Sequence, residues 1–212
     1  MYRILTLGLL SISILSCSGQ ESNDNYGTRT LIGNCEGCEA VFEFNDRKLN
    51  ATDTLPDFED DGTKIKISGT IYEPDGVTPA NDVVMYLYHT NQDGIYEPTP
   101  DSEGWEKRHG YIRGWVKTNE EGYYEFYTLK PGHYPDRKTP AHIHPIILEP
   151  NGKYYWVGSY FFSDDPYLTD EIKNNDKPRC GSDGILQLTD ANGDGIMEGK
   201  RDLVLGKNIS GY

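Results

Sequence analysis

Alternation of apolar and polar residues is the main pattern in the central part of the chain, and it predicts β-strands. From Lys64 to Ile71, Ile or Gly at the odd positions alternates with Lys, Ser or Thr, the period-2 pattern of a strand with one buried face. The stretch from Asp82 to His89 is apolar on both faces, as is typical of a central strand. Further strands are predicted at 112–118, 123–129, 142–148, 154–162, 184–188 and 202–205.

This spacing of short strands predicts an all-β fold, a two-sheet β-sandwich of about seven or eight strands. We expect the sandwich domain to span 63–212 and an irregular N-terminal arm at 34–62 to cover it. One helix is predicted at Pro166–Lys173, capped by Asp164 or Asp165. The 23 Gly and 12 Pro recur too often for a coiled coil, and the 12% aromatic content argues against disorder.

The first residues have the features of an export signal. Arg3 precedes a short apolar run from Ile4 to Leu15, and the tetrapeptide Ile-Leu-Ser-Cys ending at Cys17 resembles a bacterial lipobox. We therefore expect a lipoprotein signal peptide at 1–16, a polar tether at 17–33, and anchoring to a membrane of a bacterial cell envelope only through lipid on Cys17. A cleaved signal peptide without lipid is the alternative.

The charge balance restricts the classes of partner. The chain carries 20 Lys and Arg against 34 Asp and Glu, a net charge of −14, and the basic residues are scattered among the acidic ones. Such a chain offers no stripe to neutralise phosphates, so nucleic acid is not expected as a partner. The same negative field disfavours anionic small molecules unless Arg or Lys is concentrated at a site. The oligomeric state is not readable from the sequence.

Three cysteines remain after the expected signal peptide and Cys17, namely Cys35, Cys38 and Cys180. In an oxidising compartment we expect a disulfide between two of these three, with the pairing open. Cys35 and Cys38 alone would be one end of a zinc site, but the sequence offers no second close pair.

The most informative motif is His142-Ile143-His144, because His-x-His on a strand places both imidazoles on one face. Two imidazoles about 6–7 Å apart along the backbone can share one metal ion. A pair of hydrogen-bonded or exposed histidines is the alternative. Two phenols lie at predicted turns close to this strand, Tyr96 after Asp93-Gly94 and Tyr134 after Gly132.

With these tyrosines, the run from His89 to Pro166 resembles the intradiol ring-cleavage dioxygenases, the family of catechol and protocatechuate 3,4-dioxygenases. The matching segments are Gly94-Ile95-Tyr96, the run RGWVKT at 113–118, the run GYYEFYTLKPGHYP at 122–135, PAHIH at 140–144, and FSDDP at 162–166. Their order and spacing make the resemblance far more specific than any one segment.

The resemblance implies a mononuclear non-haem Fe(III) held by Tyr96, Tyr134, His142 and His144. It implies a dioxygenase that uses O2 to open a small aromatic diol between its two hydroxyl-bearing carbons, which gives a muconate-type diacid. The residue types agree with this, since a trivalent ion stabilises phenolates and anionic oxygen ligands favour the ferric state.

The sequence departs from the family where members usually carry an Arg three residues before the first His, which here is Thr139. Arg137 is the predicted catalytic substitute, with Arg113 as a further source of a guanidinium, and Ser159 stands where a Gln near the substrate is common. A non-catalytic envelope lipoprotein that binds ligands on the same sandwich is the alternative function. Zinc or copper at the histidine pair alone is a third interpretation.

Overall fold

The computed structural model describes residues 26–212. The predicted signal peptide at 1–16, Cys17 and the first part of the predicted tether lie outside the described residues. Within residues 26–212 no helix is long and apolar enough to cross a membrane.

The described chain forms twelve strands and a few short helical turns. The strands are β1 (Thr30–Leu31), β2 (Thr52–Thr54), β3 (Lys64–Tyr72), β4 (Val84–Tyr88), β5 (Arg113–Lys117), β6 (Tyr123–Leu129), β7 (His144–Leu148), β8 (Lys153–Trp156), β9 (Phe161–Phe162), β10 (Ile185–Leu186), β11 (Met197–Lys200) and β12 (Leu203–Val204). The α-helices are α1 (Glu106–His109) and α2 (Asp170–Lys173), and single 3₁₀ turns occupy Cys38–Phe42 and Arg179–Gly181.

Two five-stranded sheets form the body, which confirms the predicted all-β sandwich. The first sheet has the order β1-β8-β7-β4-β5, and in the second β11-β3-β6-β2 lie side by side while β12 also pairs with β3. A small parallel pair of β9 and β10 completes the described strands. The core lies between the two sheets, where Ile65, Ile67 and Phe126 of the second sheet face Met85 and Ile147 of the first.

Strand β4 is central, as its apolar sequence predicts. It pairs antiparallel with β5 on one side and β7 on the other, and four of its five residues are buried. Its outward-facing side chains, such as Val84 and Tyr86, pack in a second apolar cluster against Cys38, Ala40 and Val41 of the N-terminal arm. The arm therefore covers the outer face of the first sheet and contributes buried side chains of its own.

The disulfide joins Cys35 to Cys38, and Cys180 is a free, buried thiol. This resolves the pairing that the sequence left open, and it occupies the two cysteines considered for zinc. Within the described residues no group of three or more His, Cys, Asp or Glu side chains is placed to hold a metal ion.

The predicted helix at 166–173 is wrong in its extent and in its cap. The helix occupies only Asp170–Lys173, and the Thr169 hydroxyl caps it by accepting from the Ile172 N–H at 3.3 Å. Asp165 is unavailable as a cap because its carboxylate is buried and already accepts from Tyr167 and Ala141 N–H groups.

The predicted strand at 154–162 is interrupted, giving β8 and β9. The carbonyls of Val157 and Gly158 accept hydrogen bonds from the buried guanidinium of Arg201, at 3.0 and 2.8 Å. These carbonyls point to a side chain instead of a neighbouring strand, so the ladder breaks here. The sequence pattern does not indicate the short strands β1, β2 and β11, all of which pair in parallel with strands distant in sequence.

Candidate metal centre

The candidate site lies at one end of strands β4 and β7, on the outer face of the first sheet. His144, the first residue of β7, lies directly opposite Tyr88, the last residue of β4. Because side chains alternate along a strand, His144 shares its face with Ile146 and Leu148, the face that the arm covers. His142 precedes the strand, and Ile143 between the two histidines is buried in the core and bridges to Tyr160.

Two turns lying backbone to backbone carry the two phenols. A side chain at Gly94 would meet the His133 carbonyl oxygen at 1.7 Å, and one at Gly132 would meet the Gln92 carbonyl oxygen at 2.2 Å. The Gly132 N–H donates to the Asn91 carbonyl at 3.0 Å. Glycine is therefore required at both turns, since any Cβ would push them apart.

The four predicted ligands converge. The Tyr96 hydroxyl lies 2.9 Å from His144 Nε2 and 2.8 Å from the Tyr134 hydroxyl, which in turn lies 3.3 Å from His142 Nε2. The two imidazole rings are 4.5 Å apart between centroids. We call these four residues the Tyr–His cluster.

The donor set and its spacing fit a single metal ion. Bonds of about 2 Å to nitrogen and oxygen, at angles near 90–110°, place neighbouring donor atoms about 2.8–3.3 Å apart. The contacts within the Tyr–His cluster run from 2.8 to 3.3 Å. Two oxygen and two nitrogen donors of this hardness suit iron.

Burial sets the protonation of the cluster in the absence of a metal. It lowers the pKa of His142 and lowers the pKa of His144 well below its usual value, so both imidazoles are neutral and keep a lone pair for coordination. Burial also raises the pKa of Tyr96, and the hydrogen bond with Tyr134 adds to this. The Tyr96 phenol therefore ionises only if a strong positive charge, such as a metal ion, stabilises the phenolate.

Hydrogen bonds outside the cluster fix its orientation. His142 Nδ1 lies 2.7 Å from the Pro140 carbonyl, so Nδ1 donates to it and Nε2 is the free nitrogen that faces Tyr134. The buried Asp165 carboxylate accepts from the Ala141 N–H at 2.9 Å and contacts His133 Nε2 at 2.8 Å. Asp165 thus ties the turn that carries Tyr134 to the segment that carries His142.

Aromatic stacking on Tyr88 fixes the position of the His144 ring. The Tyr88 ring lies between His144, at 4.6 Å between centroids, and His109 of α1, at 3.8 Å, and both contacts are nearly parallel. The Tyr86 hydroxyl lies 2.9 Å from His109 Nδ1. His109 is therefore a buried residue that packs on Tyr88 and is hydrogen-bonded to Tyr86.

The pH dependence of stability should report the burial of His109. Burial, with the nearby charges of Arg113 and Arg108, lowers the pKa of His109 to about 4. In the unfolded chain the imidazole has a pKa of ~6.5. Its contribution to the free energy of unfolding is therefore complete above that pH and is lost as the pH falls toward 4. We expect the metal-free protein to lose about 2 kcal/mol of unfolding free energy from this residue between pH 8 and pH 5.

Urea unfolding of the wild type and His109→Gln at both pH values measures this effect. The Gln amide oxygen can accept from the Tyr86 hydroxyl, and Gln does not titrate. The difference between the two proteins isolates His109 from the other buried histidines. Identical losses of stability in both proteins would contradict the assignment.

A cavity of about 350 Å³ opens beside the Tyr–His cluster and is lined by Tyr96, Tyr134 and His144. Its other walls are the rings of Tyr88, His109 and Trp105 and the charged side chains of Arg108 and Glu36. We call this space the adjacent cavity. Arg108 and Glu36 are not among the residues singled out from the sequence. Both are exposed charges, Arg108 in a four-residue helix and Glu36 in the loop between Cys35 and Cys38, and the local sequence carries no signal that they face a cavity.

The other residues singled out from the sequence lie around the cluster. The Arg137 guanidinium carbon is 5.6 Å from the Tyr134 ring centroid, and its side chain is 69% exposed. Arg113 does not reach the cavity, because it is paired with Glu43 and Glu106. Ser159 is buried and lines a separate cavity of about 530 Å³ near Arg179 and Arg201.

Comparisons with known proteins identify the class. A family model described as "Dioxygenase" matches residues 41–206. Catechol 1,2-dioxygenase 1 of Acinetobacter lwoffii is 29% identical over 143 residues, which cover 58% of this chain and 43% of that protein. The matched region thus spans less than half the length of this curated relative.

Solved structures share the fold. An intradiol ring-cleavage dioxygenase from Tetranychus urticae superposes with a TM-score of 0.54 at 20% identity, over 82% of this chain and 92% of that one. The dioxygenase domain of a carbohydrate-binding fusion protein from Streptomyces sp. SirexAA-E gives 0.53 at 21% identity, over 77% and 94% of the two chains. These structures share the β-sandwich found here. The chain belongs to the intradiol ring-cleavage dioxygenase family.

Proposed function

We propose that this protein is an Fe(III)-dependent dioxygenase that cleaves a catechol-type ring between its two hydroxyl-bearing carbons to a muconate-type diacid. The observation that carries the proposal is the convergence of Tyr96, Tyr134, His142 and His144, whose terminal atoms contact one another at 2.8–3.3 Å. The similarity to a catechol 1,2-dioxygenase supports the substrate class.

Each residue of the Tyr–His cluster has a distinct role in this proposal. The imidazoles would hold the ion as neutral ligands, with His142 oriented by Pro140 and His144 oriented by stacking on Tyr88. The phenolate oxygens would balance most of its charge. A ferric ion supplies Lewis acidity, which favours ionised phenols and an ionised catechol.

The two phenolic oxygens are also placed for proton transfer. They lie 2.8 Å apart at the wall of the adjacent cavity, so one can accept the proton of a catechol hydroxyl while the other keeps its position. The rings of Tyr88, His109 and Trp105 enclose the space on its apolar sides, which suits a flat aromatic molecule.

Arg137 remains our candidate for stabilising negative charge on the reacting ring. It lies over the Tyr134 ring, close to the proposed ligand but largely in water. Solvent screens its charge, so we expect a smaller contribution than a buried guanidinium would make.

Iron reconstitution followed by spectroscopy and product analysis tests the proposal. The iron-loaded protein should be red to purple from tyrosinate-to-iron charge transfer, and catechol under air should give a ring-opened diacid with uptake of O2. A protein that stays colourless and binds no iron would overturn the proposal and favour a non-catalytic binding function. Iron binding without formation of a diacid would support the proposed metal centre but overturn the proposed reaction.

A further inference from the structure

The charges that line the adjacent cavity are few and belong to two residues. Among the residues of the described chain that line it, Arg108 is the only permanent cation and Glu36 the only anion. Arg108 belongs to α1, and the N-cap residue Trp105 and the last residue His109 of this helix also line the cavity. Glu36 belongs to the short loop that the Cys35–Cys38 disulfide closes.

Among the guanidinium groups near the site, Arg108 is the one that lines the adjacent cavity itself. The Arg113 side chain is only 12% exposed and is held by two carboxylates, and Arg137 lines a different hollow on the surface. Arg108 is 62% exposed and makes a single ion pair, at 2.5 Å, with the 75% exposed Glu36. Ion pairs with both partners largely in water contribute little to stability, so a ligand anion can replace Glu36 at small cost.

The position of the guanidinium is nevertheless defined. Its central carbon lies 5.5 Å from the centroid of the Trp105 ring, within reach of a cation–π contact. In a chain with a net charge of −14, this local cation is what would attract an anionic molecule to the site.

We propose that Arg108 is a specificity-determining residue that selects aromatic diols bearing an anionic substituent, such as a carboxylate, over the uncharged diol. The substituent's carboxylate replaces Glu36 as the partner of Arg108, while the diol end of the same ring faces Tyr96 and Tyr134. Glu36 then acts as a competitor, which keeps Arg108 paired when no anion is bound. This inference rests on the proposed function for the identity of the ligand.

Turnover of two diols tests the selection. In the iron-loaded wild type and in Arg108→Gln we would measure kcat/KM for 3,4-dihydroxybenzoate and for catechol. We expect Arg108→Gln to lower the value for the carboxylated diol by about tenfold or more and to change that for catechol by less than about twofold. Glu36→Gln should raise the ratio of kcat/KM for 3,4-dihydroxybenzoate to kcat/KM for catechol. Lys107→Gln, an equal change of charge on the exposed neighbour of Arg108, should leave both values unchanged.

Binding to the metal-free protein separates this inference from the proposed function. Calorimetry with 4-hydroxybenzoate and with phenol should show that Arg108→Gln weakens only the first, again by about tenfold. Equal effects on both probes, no effect on either, or the same effect from Lys107→Gln would overturn the role of Arg108. Failure of the wild type to cleave either diol, with charge-selective binding intact, would instead overturn the proposed reaction.

Discussion

Replacing Tyr96 with Phe is expected to change the visible colour of the iron-loaded protein, because only the Tyr134 phenolate is left as a ligand, and to lower kcat/KM for catechol by at least ~10²-fold. The hydroxyl of Tyr96 touches two other members of the Tyr–His cluster, His144 Nε2 at 2.9 Å and the Tyr134 hydroxyl at 2.8 Å. Phe preserves the ring and its packing against Tyr88. Changes in colour and turnover would therefore result from the missing phenolic oxygen and not from a change of fold.

Iron content, the visible spectrum and catechol turnover measure this effect together. Tyr123→Phe is the matched control, because that phenol lies on β6 and donates to Glu125 at 2.8 Å, away from the cluster. The control should keep its colour and activity. If Tyr96→Phe retained both, Tyr96 would not be a ligand, and zinc or copper at the histidine pair would again have to be considered.

Arg201→Met should be the most damaging single change to stability, with a loss of about 3–5 kcal/mol of unfolding free energy. The Arg201 residue is 3% exposed, and its guanidinium donates to the carbonyls of Val157, Gly158 and Ser182. It also lies 4.8 Å from the centroid of the Tyr160 ring. Met fills much of the same volume but leaves these three carbonyl groups, and that of Ser159 at 3.4 Å, without their donor, and burial makes that costly.

Chemical denaturation measures this loss, with Lys200→Met as the control. Lys200 is the neighbouring residue, its side chain is 67% exposed, and it pairs with Asp202 at the surface. We expect the control to change stability by less than about 0.5 kcal/mol. A similar small change in Arg201→Met would show that the segment between β8 and β9 is held by other contacts.

The sequence is sufficient to predict the strands that have one or both faces buried, because burial sets their pattern of apolar residues. Strand β3 alternates along its whole length and β6 alternates up to its last two residues, and the pattern locates both to within a residue. The apolar sequence of β4 identifies it as central. Strands β1 and β11 were missed because they are short and lie at sheet edges, where the pairing partner and not the local pattern makes the strand. The break between β8 and β9 depends on a side chain some 40 residues away, so no local pattern could indicate it.

The sequence likewise indicates some residues of the candidate site and not others. The histidine pair follows from alternation along a strand, and the resemblance to known proteins pointed to Tyr96 and Tyr134 among 16 tyrosines. The structure brings these residues together. Arg108 and Glu36 could not be found this way, since they meet across 72 positions of sequence through the disulfide loop and a four-residue helix.

The backbone contact between the turns at Gly94 and Gly132 has a consequence for how this scaffold can diversify. Because each turn is the other's supporting surface, an insertion or a bulkier residue in one displaces both phenols at once. The two turns that carry the phenols therefore tolerate few changes of sequence. The α1 segment and the disulfide loop line the cavity without carrying any residue of the Tyr–His cluster, so new preferences for ligands are more readily acquired, or engineered, in those walls.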